Sequence, residues 1–123
     1  MKFNEDIGTS KHHLQAYGNG WIQVNNKRLE RTLVITPETL IENWGPHCYA
    51  DLRQQHIALI LEIDAEIILI GTGGRHLLPS PEIHKSLVDN GAGFEIMTTP
   101  AACRTYQVLS AESRSVLAIL FPK

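Results

Sequence analysis

The residues best suited to chemistry in this sequence lie in one short run, Thr98-Thr-Pro-Ala-Ala-Cys-Arg104. A hydroxyl residue followed by proline is typical of a helix start, where the first backbone amides have no partner within the helix and can bind an anion or a carboxylate. Arg104 would add a charged donor. We favour the alternative in which Thr98 and Thr99 accept from those amides and Arg104 is a surface residue.

Cys103 lies in the first turn of this predicted helix, where the helix dipole and Arg104 would lower the pKa of a partly exposed thiol. Two small residues, Ala101 and Ala102, precede it and indicate tight packing instead. The motif contains no histidine or acid that could act as a base for a thiol nucleophile. We therefore predict that Cys103 is a packing residue, and we assign no catalytic residue in the chain.

A second candidate is the glycine loop, Gly71-Thr-Gly-Gly74, which follows a short apolar run. It is similar to a phosphate-binding loop only loosely, because Leu77 lies near the place where a third small residue is needed and no Lys-Ser or Lys-Thr pair follows. A structural turn is the favoured interpretation. The loop and the helix start at Thr99 would still form a crevice at the carboxyl ends of the strands, where open α/β sheets bind ligands.

Composition limits the possible functions. A formal charge of -2 gives no electrostatic reason to expect nucleic-acid binding. Cys48 and Cys103 are too far apart for a metal or redox pair, and His47 beside Cys48 lacks further ligands, so we predict neither a metal site nor a cofactor. No apolar run is long enough to insert into a membrane, and Glu5 and Asp6 argue against a targeting peptide. We expect a soluble, cytoplasmic protein.

The elements that would position these residues begin with the apolar run 67–70, which has no polar face and predicts a strand covered on both sides. Residues 94–97 and 116–121 predict two further strands, parallel to the first. A helix between each consecutive pair would supply the crossover connections. The predicted core is therefore parallel, with the order β-α-β-α-β.

Three helix starts are predicted from pairs of a hydroxyl residue and proline, at Thr36-Pro37, Ser80-Pro81 and Thr99-Pro100. The first helix would be short, with Leu40, Ile41 and Trp44 on one side, and would end at Gly45-Pro46. The second would turn Ile83, Leu87 and Val88 towards the sheet and end at Asn90-Gly91. The third would end near Ser113, with Ala102, Tyr106 and Leu109 in one packed stripe and Arg104, Gln107, Ser110 and Arg114 on the other face.

The rest of the chain is less regular. Turn residues at Tyr17-Gly-Asn-Gly20 and Asn25-Asn26 separate short apolar segments up to residue 35, which indicates an N-terminal β-hairpin. Residues 51–63 fit a helix or a strand, and we choose a helix because a crossover is needed there. We expect one α/β domain over residues 1–123, with a mixed central sheet, three layers and a loose N-terminal arm at residues 1–14.

Three segments together resemble a known family: Ile68-Leu-Ile-Gly-Thr-Gly73, Met97-Thr-Thr-Pro-Ala-Ala-Cys-Arg-Thr-Tyr-Gln-Val-Leu109 and Glu112-Ser-Arg-Ser-Val-Leu-Ala118. The family consists of small domains of unknown function and includes mitochondrial NADH dehydrogenase (complex I) assembly factor 3 and the adipogenesis-associated domain protein. The resemblance extends over residues 17–122. It implies a three-layer α/β fold with a mixed sheet and no established enzymatic activity. This chain departs from the family pattern at Gln107, where asparagine is expected, and at Thr99-Pro100.

We therefore predict a non-catalytic assembly or protein-interaction factor with an unknown protein partner. Its predicted binding surface consists of Gly71, Thr72, Gly73, Thr98, Thr99, Arg104 and Gln107. The alternative is a protein or enzyme that binds a small molecule or an anion in the crevice at the glycine loop and the Thr99 helix start. An anion at the helix N-terminus and self-association into a homo-oligomer are open possibilities at this point.

Overall fold

The computed structural model describes residues 11–123. Its strands are β1 (Leu14–Gly18), β2 (Trp21–Val24), β3 (Lys27–Leu29), β4 (Leu33–Ile35), β5 (Leu40–Ile41), β6 (Ile67–Gly71), β7 (Gly93–Met97) and β8 (Val116–Leu120), and its α-helices are α1 (Gln54–Ile60), α2 (Pro81–Asn90) and α3 (Thr99–Ala111). A short 3-10 turn, Tyr49–Asp51, precedes α1.

Five strands form a mixed sheet in the order β5-β4-β8-β6-β7. Strand β6 pairs in parallel with both β7 and β8, whereas β4 pairs antiparallel with β8 and with β5. The predicted parallel core of three strands is therefore confirmed, and the structure places the 67–70 strand at its centre. Helix α2 connects β6 to β7 and helix α3 connects β7 to β8.

Both faces of this sheet are covered, so the predicted three-layer α/β architecture is confirmed. On one face, α3 and strands β1 to β3 pack against alternate residues of the sheet strands, including Leu69, Ala118 and Leu120. On the other face, α1 and α2 pack against the intervening residues, including Ile68, Ile70 and Ile119. All of these sheet residues are buried, because a strand presents successive side chains to opposite faces.

The predicted N-terminal hairpin is confirmed and gains a third strand. Strands β1, β2 and β3 form an antiparallel meander, in which Tyr17 is paired with Ile22 and Ile22 with Leu29. The turn between β2 and β3 has Asn25 at a positive φ of 54°, a conformation that asparagine tolerates better than most residues. The chain then crosses to the larger sheet, so the apolar segment that ends at residue 35 is divided between β3 and β4.

The helix predicted at Thr36-Pro37 is absent, and that prediction was wrong. The Thr36 hydroxyl does accept from two backbone amides, at 3.2 Å from Glu38 N and 2.9 Å from Thr39 N, as a cap would. A tight turn forms in place of a helix. Thr36 N donates to Thr39 O at 2.8 Å, and β5 then pairs antiparallel with β4. The apolar residues at 40 and 41 form this short edge strand.

The other two helix starts are present. The Ser80 hydroxyl accepts from Ile83 N at 3.3 Å, Pro81 is the first residue of α2, and Gly91 closes the helix with a φ of 88°. In α3 the N-cap is Thr98, one residue earlier than predicted, so Thr99 lies in the first turn. Val88 was predicted to face the sheet, but its side chain is 53% exposed.

The remaining boundaries also differ from expectation. The predicted helix over residues 51–63 is confirmed only for Gln54–Ile60. Most of the proposed N-terminal arm, residues 1–10, lies outside the described residues. The amides of Lys11 and His12 donate to Pro37 O at 2.8 and 3.2 Å, and Leu14 already belongs to β1. The assignment of the whole chain to one domain stays a prediction. Within residues 11–123, no helix combines the length and the hydropathy that a membrane span requires.

Candidate functional site

The glycine loop at the carboxyl end of β6 is held by hydrogen bonds to its neighbours. Phe121 N donates to Gly71 O at 3.1 Å, and Thr72 N donates to Met97 O at 2.9 Å. The Thr72 side chain is buried, and its hydroxyl bonds to the carbonyl oxygen of Arg75. The loop is therefore a structural turn whose polar groups bond within the protein.

Thr99 connects three segments through one buried side chain. Its hydroxyl donates to Phe121 O at 2.6 Å and accepts from Gly73 N at 2.8 Å, and its own amide donates to Gly73 O at 2.8 Å. These bonds join the glycine loop, the start of α3 and the chain just after β8. The absence of a side chain at Gly71 permits this contact, since a Cβ there would lie 2.8 Å from Thr99 Oγ1 and 2.9 Å from Thr99 Cα.

The first amides of α3 are also engaged. The Thr98 hydroxyl accepts from Ala101 N at 3.5 Å, and the Thr98 carbonyl oxygen accepts from Ala102 N at 2.9 Å. These are among the groups that an anion bound at the helix start would need. The geometry agrees with the favoured alternative for Thr98. Thr99 departs from it, because its hydroxyl accepts from Gly73 N instead of from an amide of α3.

Beside this bonded cluster lies a groove with a volume of about 730 Å³. Four segments line it: the β1–β2 turn with Tyr17 and Asn19, the glycine loop with Gly73 and Arg75, the helix start with Pro100, and the chain after β8 with Pro122 and Lys123. We call this feature the groove. Its floor is apolar, because a tyrosine ring, two prolines and several glycines contribute most of it.

The predicted site residues do not all lie in the groove. Gly73 and Thr99 line the groove, while Gly71, Thr72 and Thr98 are not among its lining residues. The Arg104 guanidinium is exposed and donates to the Tyr17 hydroxyl at 3.1 Å, which places it at the rim. The Gln107 amide nitrogen donates to Leu14 O at 3.0 Å, so this side chain attaches β1 to α3.

Sequence reasoning did not include the β1–β2 turn in the site. The Tyr17-Gly-Asn-Gly20 run was interpreted only as a hairpin turn, about eighty positions before the helix start. Its glycines are informative in retrospect. Gly18 lies against the Trp21 ring, and Gly20 has a φ of 85° beside the Lys123 side chain. A side chain at Gly18 would collide with the Trp21 ring, and the positive φ of Gly20 favours glycine, so both positions of the turn are constrained.

The groove carries positive charge and no negative side chain among its lining residues. Arg75 and Lys123 are exposed at its edge, and Arg104 joins them through Tyr17. A guanidinium and an ammonium both bind carboxylates, and the planar guanidinium can do so through two parallel hydrogen bonds. The arrangement can attract an acidic group towards an apolar floor.

The structure gives no support to Cys103 as a nucleophile. The side chain is fully buried beside Ala102 and Tyr106, and burial raises the pKa of its thiol to about 12 despite the opposing effect of Arg104. Cys48 is exposed and lies elsewhere in the fold. Among the residues that the structure describes, no three His, Cys, Asp or Glu side chains converge on a possible metal position.

Comparison with known proteins places the chain among relatives of similar fold. The chain is 28% identical over 112 residues to NADH dehydrogenase [ubiquinone] 1 alpha subcomplex assembly factor 3 of Bos taurus, a match that covers 89% of this chain and 60% of that protein. It is 41% identical over 69 residues to the 13 kDa major membrane protein of Francisella tularensis, covering 56% of each chain. The chain thus spans about three-fifths of the length of the curated relatives that it matches.

A solved structure extends the likeness over nearly the whole chain. The crystal structure of a Bordetella parapertussis protein is 35% identical and superimposes with a TM-score of 0.85, covering 94% of this chain and 98% of that one. The sequence profile described as "Protein of unknown function (DUF498/DUF598)" matches residues 14–121. The resemblance found in the sequence is confirmed, and the chain belongs to the DUF498/DUF598 family of proteins of unknown function.

Proposed function

We propose that this protein is a non-catalytic interaction factor that binds an acidic segment of a partner protein in the groove. The observation that carries the proposal is the pairing of an apolar floor with a cationic rim formed by Arg75, Arg104 and Lys123. A partner could place an apolar side chain on the floor and a carboxylate at the rim. Buried anchors with a polar rim are the usual anatomy of a protein interface.

The hydrogen bonding around the groove also supports binding without catalysis. A catalytic site needs a nucleophile or base that a second group orients. Here the Thr99 hydroxyl accepts from the Gly73 amide and donates to the carbonyl oxygen of Phe121, and the Cys103 thiol is buried. The Thr99 hydroxyl, the Gly73 amide and the Cys103 thiol therefore have structural roles beside the groove.

The bovine relative is named an assembly factor, and an assembly factor acts by binding other proteins. We extend that general role to this chain, and we propose that the protein acts in the cytoplasm. The identity of the relative's target does not transfer, because the match covers 60% of that protein. The sequence left open an anion at the start of α3, and in this proposal a partner carboxylate at the rim takes its place.

Site-directed photo-crosslinking in the source cell tests the proposal. A photoreactive amino acid replaces Asn19, which is exposed in the β1–β2 turn at the groove, and in a control protein it replaces Gln55, which is exposed on α1. We expect a discrete protein adduct from position 19 that is absent from position 55. An adduct of the same size from both positions, or from neither, would contradict the proposal.

Arginine variants test the role of the rim. Arg104→Ala removes a rim cation, and Arg114→Ala removes an exposed arginine beyond the far end of the same helix. Arg104→Ala should reduce the crosslinked adduct severalfold at unchanged thermal stability, because the Arg104 side chain is exposed and its hydrogen bond to Tyr17 lies at the surface. Arg114→Ala should leave the adduct unchanged. Equal effects of the two variants would place the interaction elsewhere.

A small-molecule ligand is the second candidate, because the groove volume falls in the range of about 300 to 1,000 Å³ that is usual for ligand pockets. Native mass spectrometry of protein purified from the source cell separates the two. A bound mass of a few hundred daltons that is lost in Arg104→Ala would favour this candidate.

An adduct of twice the chain's mass in the crosslinking experiment would identify a second copy as the partner.

A further inference from the structure

Strand β7 ends the larger sheet on one side, and its outer edge is unpaired within the part of the chain that the structure describes. The sheet order is β5-β4-β8-β6-β7, so β6 is the only strand paired with β7 among residues 11–123. The opposite edge is β5, which has two residues, whereas β7 has five. A longer unpaired edge is a template for a further strand.

The register of the β6–β7 pair shows which peptide groups face outward. Gly93 N donates to Glu66 O at 2.9 Å, and Met97 O accepts from Thr72 N at 2.9 Å, so residues at both ends of the strand bond inward to β6. In a parallel pair, alternate residues of a strand bond to the same neighbour. The N–H and C=O groups of Phe94 and Ile96 therefore point away from the sheet.

The side chains beside this edge provide a surface for an added strand. Phe94 and Ile96 are half-buried against the α1 and α2 face, and the His84 ring contacts Phe94 edge-on with 5.7 Å between ring centroids. Glu95 points to the opposite face and is exposed. No described cation lies within ion-pairing distance of its carboxylate.

Apart from one charged side chain, strand β7 lacks the features by which proteins commonly block an exposed edge. Its sequence is Gly-Phe-Glu-Ile-Met, with no proline and no lysine, and its pairing with β6 runs through five residues without a bulge. One charge, that of Glu95, lies at its centre. That charge selects among possible partners, since an opposite charge directly across a strand pair is favourable and a like charge is unfavourable.

We propose that the outer edge of β7 binds an extended segment of a partner protein, with a lysine or arginine opposite Glu95 and an apolar residue on each side of it. The segment would bond to the outward peptide groups of Phe94 and Ile96. Its cation would face the Glu95 carboxylate on the α3 side of the sheet, and its apolar residues would lie beside Phe94 and Ile96 on the α2 side. This surface is distinct from the groove, so the proposal stands apart from the proposed function.

A second copy of the chain fits this edge poorly. Two copies could pair through antiparallel β7 strands. Such a pair uses both outward residues, Phe94 and Ile96, of each copy only if Phe94 of one copy lies opposite Ile96 of the other. That register sets the two Glu95 carboxylates directly opposite each other, in the closely spaced position of the ladder. A shifted register would need outward groups beyond the strand, where Gly91 has a φ of 88° and α3 begins at Thr99.

Hydrogen exchange measured by NMR tests the proposal with two synthetic probes. One is a short capped peptide with Thr-Val-Lys-Val-Thr at its centre, and the other has glutamate in place of the lysine. We expect the lysine peptide to slow exchange of the Phe94 and Ile96 amides, with roughly fivefold tighter binding than the glutamate peptide. The exposed substitution Glu95→Lys should reverse this preference.

Three results would overturn the proposal. The first is that neither peptide slows exchange at Phe94 and Ile96. The second is that Glu95→Lys leaves the order of the two peptides unchanged, since the charge at this edge would then not select the partner. The third is concentration-dependent protection of the same two amides without peptide, which would assign the edge to a second copy of the chain.

Discussion

Thr99 is the residue on which the geometry beside the groove depends, since its hydroxyl bonds to both Gly73 N and Phe121 O. Thr99→Val keeps the shape of the side chain and removes the hydroxyl. The amide and the carbonyl would stay buried without a partner, which costs roughly 1 to 3 kcal/mol for each group. We expect the free energy of unfolding to fall by about 2 to 6 kcal/mol in urea titrations monitored by circular dichroism.

Thr105→Val is the matched control on the same helix. The Thr105 hydroxyl donates to Ala101 O within α3 and is half-buried, so its loss leaves no buried group without a partner. The change should alter the free energy of unfolding by no more than about 0.5 kcal/mol. A similar cost for the two valine variants would show that the bonds at Thr99 contribute little to stability.

At the scale of elements, strand β6 and helix α3 approach each other most closely at Gly71. Gly71→Ala would place a methyl group 2.8 Å from Thr99 Oγ1 and 2.9 Å from Thr99 Cα, and the second atom belongs to the backbone. The helix start would have to shift, at a cost of about 1 to 3 kcal/mol. Urea titration measures this cost.

Gly74→Ala is the control for this prediction. A Cβ at Gly74 meets no atom within 4 Å, and the residue is exposed in the same loop. We expect no loss of stability from this change beyond about 0.5 kcal/mol. If Gly71→Ala is tolerated as well as Gly74→Ala, then the close contact between β6 and α3 is not a constraint on the fold.

The helix starts show how far local sequence determines an element. Ser80-Pro81 and Thr36-Pro37 carry the same signal, and both hydroxyls accept backbone amides. Only the first is followed by a helix. After Thr36, the two apolar residues of β5 pair with β4, which in turn pairs with β8 more than eighty positions later. That distant pairing decided the outcome, and a local pattern carries no information about it.

The groove is likewise a property of the whole molecule. The parallel core was predictable because its strands are short segments rich in apolar residues, with predicted helices between them. That prediction also put the glycine loop and the start of α3 at the same end of the sheet. The meander was predictable only as a hairpin. Its docking against α3, through Gln107 to Leu14 O and Arg104 to Tyr17, brings Tyr17 to the groove, and these contacts join residues about ninety positions apart.

The buried acidic groups of the core set the response of the whole fold to alkaline pH. Burial raises the pKa of the Cys103 thiol from 9.0 to about 12, and it raises the pKa of the Tyr49 hydroxyl as well. For Tyr106, burial and then the charge of Glu38 raise the pKa. Each group binds its proton more tightly in the folded chain than in the unfolded chain. The contribution of these groups to stability is therefore fully present below their unfolded pKa values, and it is lost as the pH rises from about 9 towards the folded pKa values.

Cys103→Ala isolates the contribution of one of these groups. Between pH 8 and pH 10.5, ionisation of Cys103 in the unfolded state alone should lower the free energy of unfolding by about 2 kcal/mol, and this part of the decrease should disappear in the variant. Urea titrations at both pH values measure the difference. Cys48→Ala removes an exposed thiol and should leave the decrease as large as in the unchanged protein. If Cys103→Ala and Cys48→Ala have the same pH dependence, the Cys103 thiol ionises as readily in the folded chain as in the unfolded chain, and it would have to be reconsidered as a reactive group.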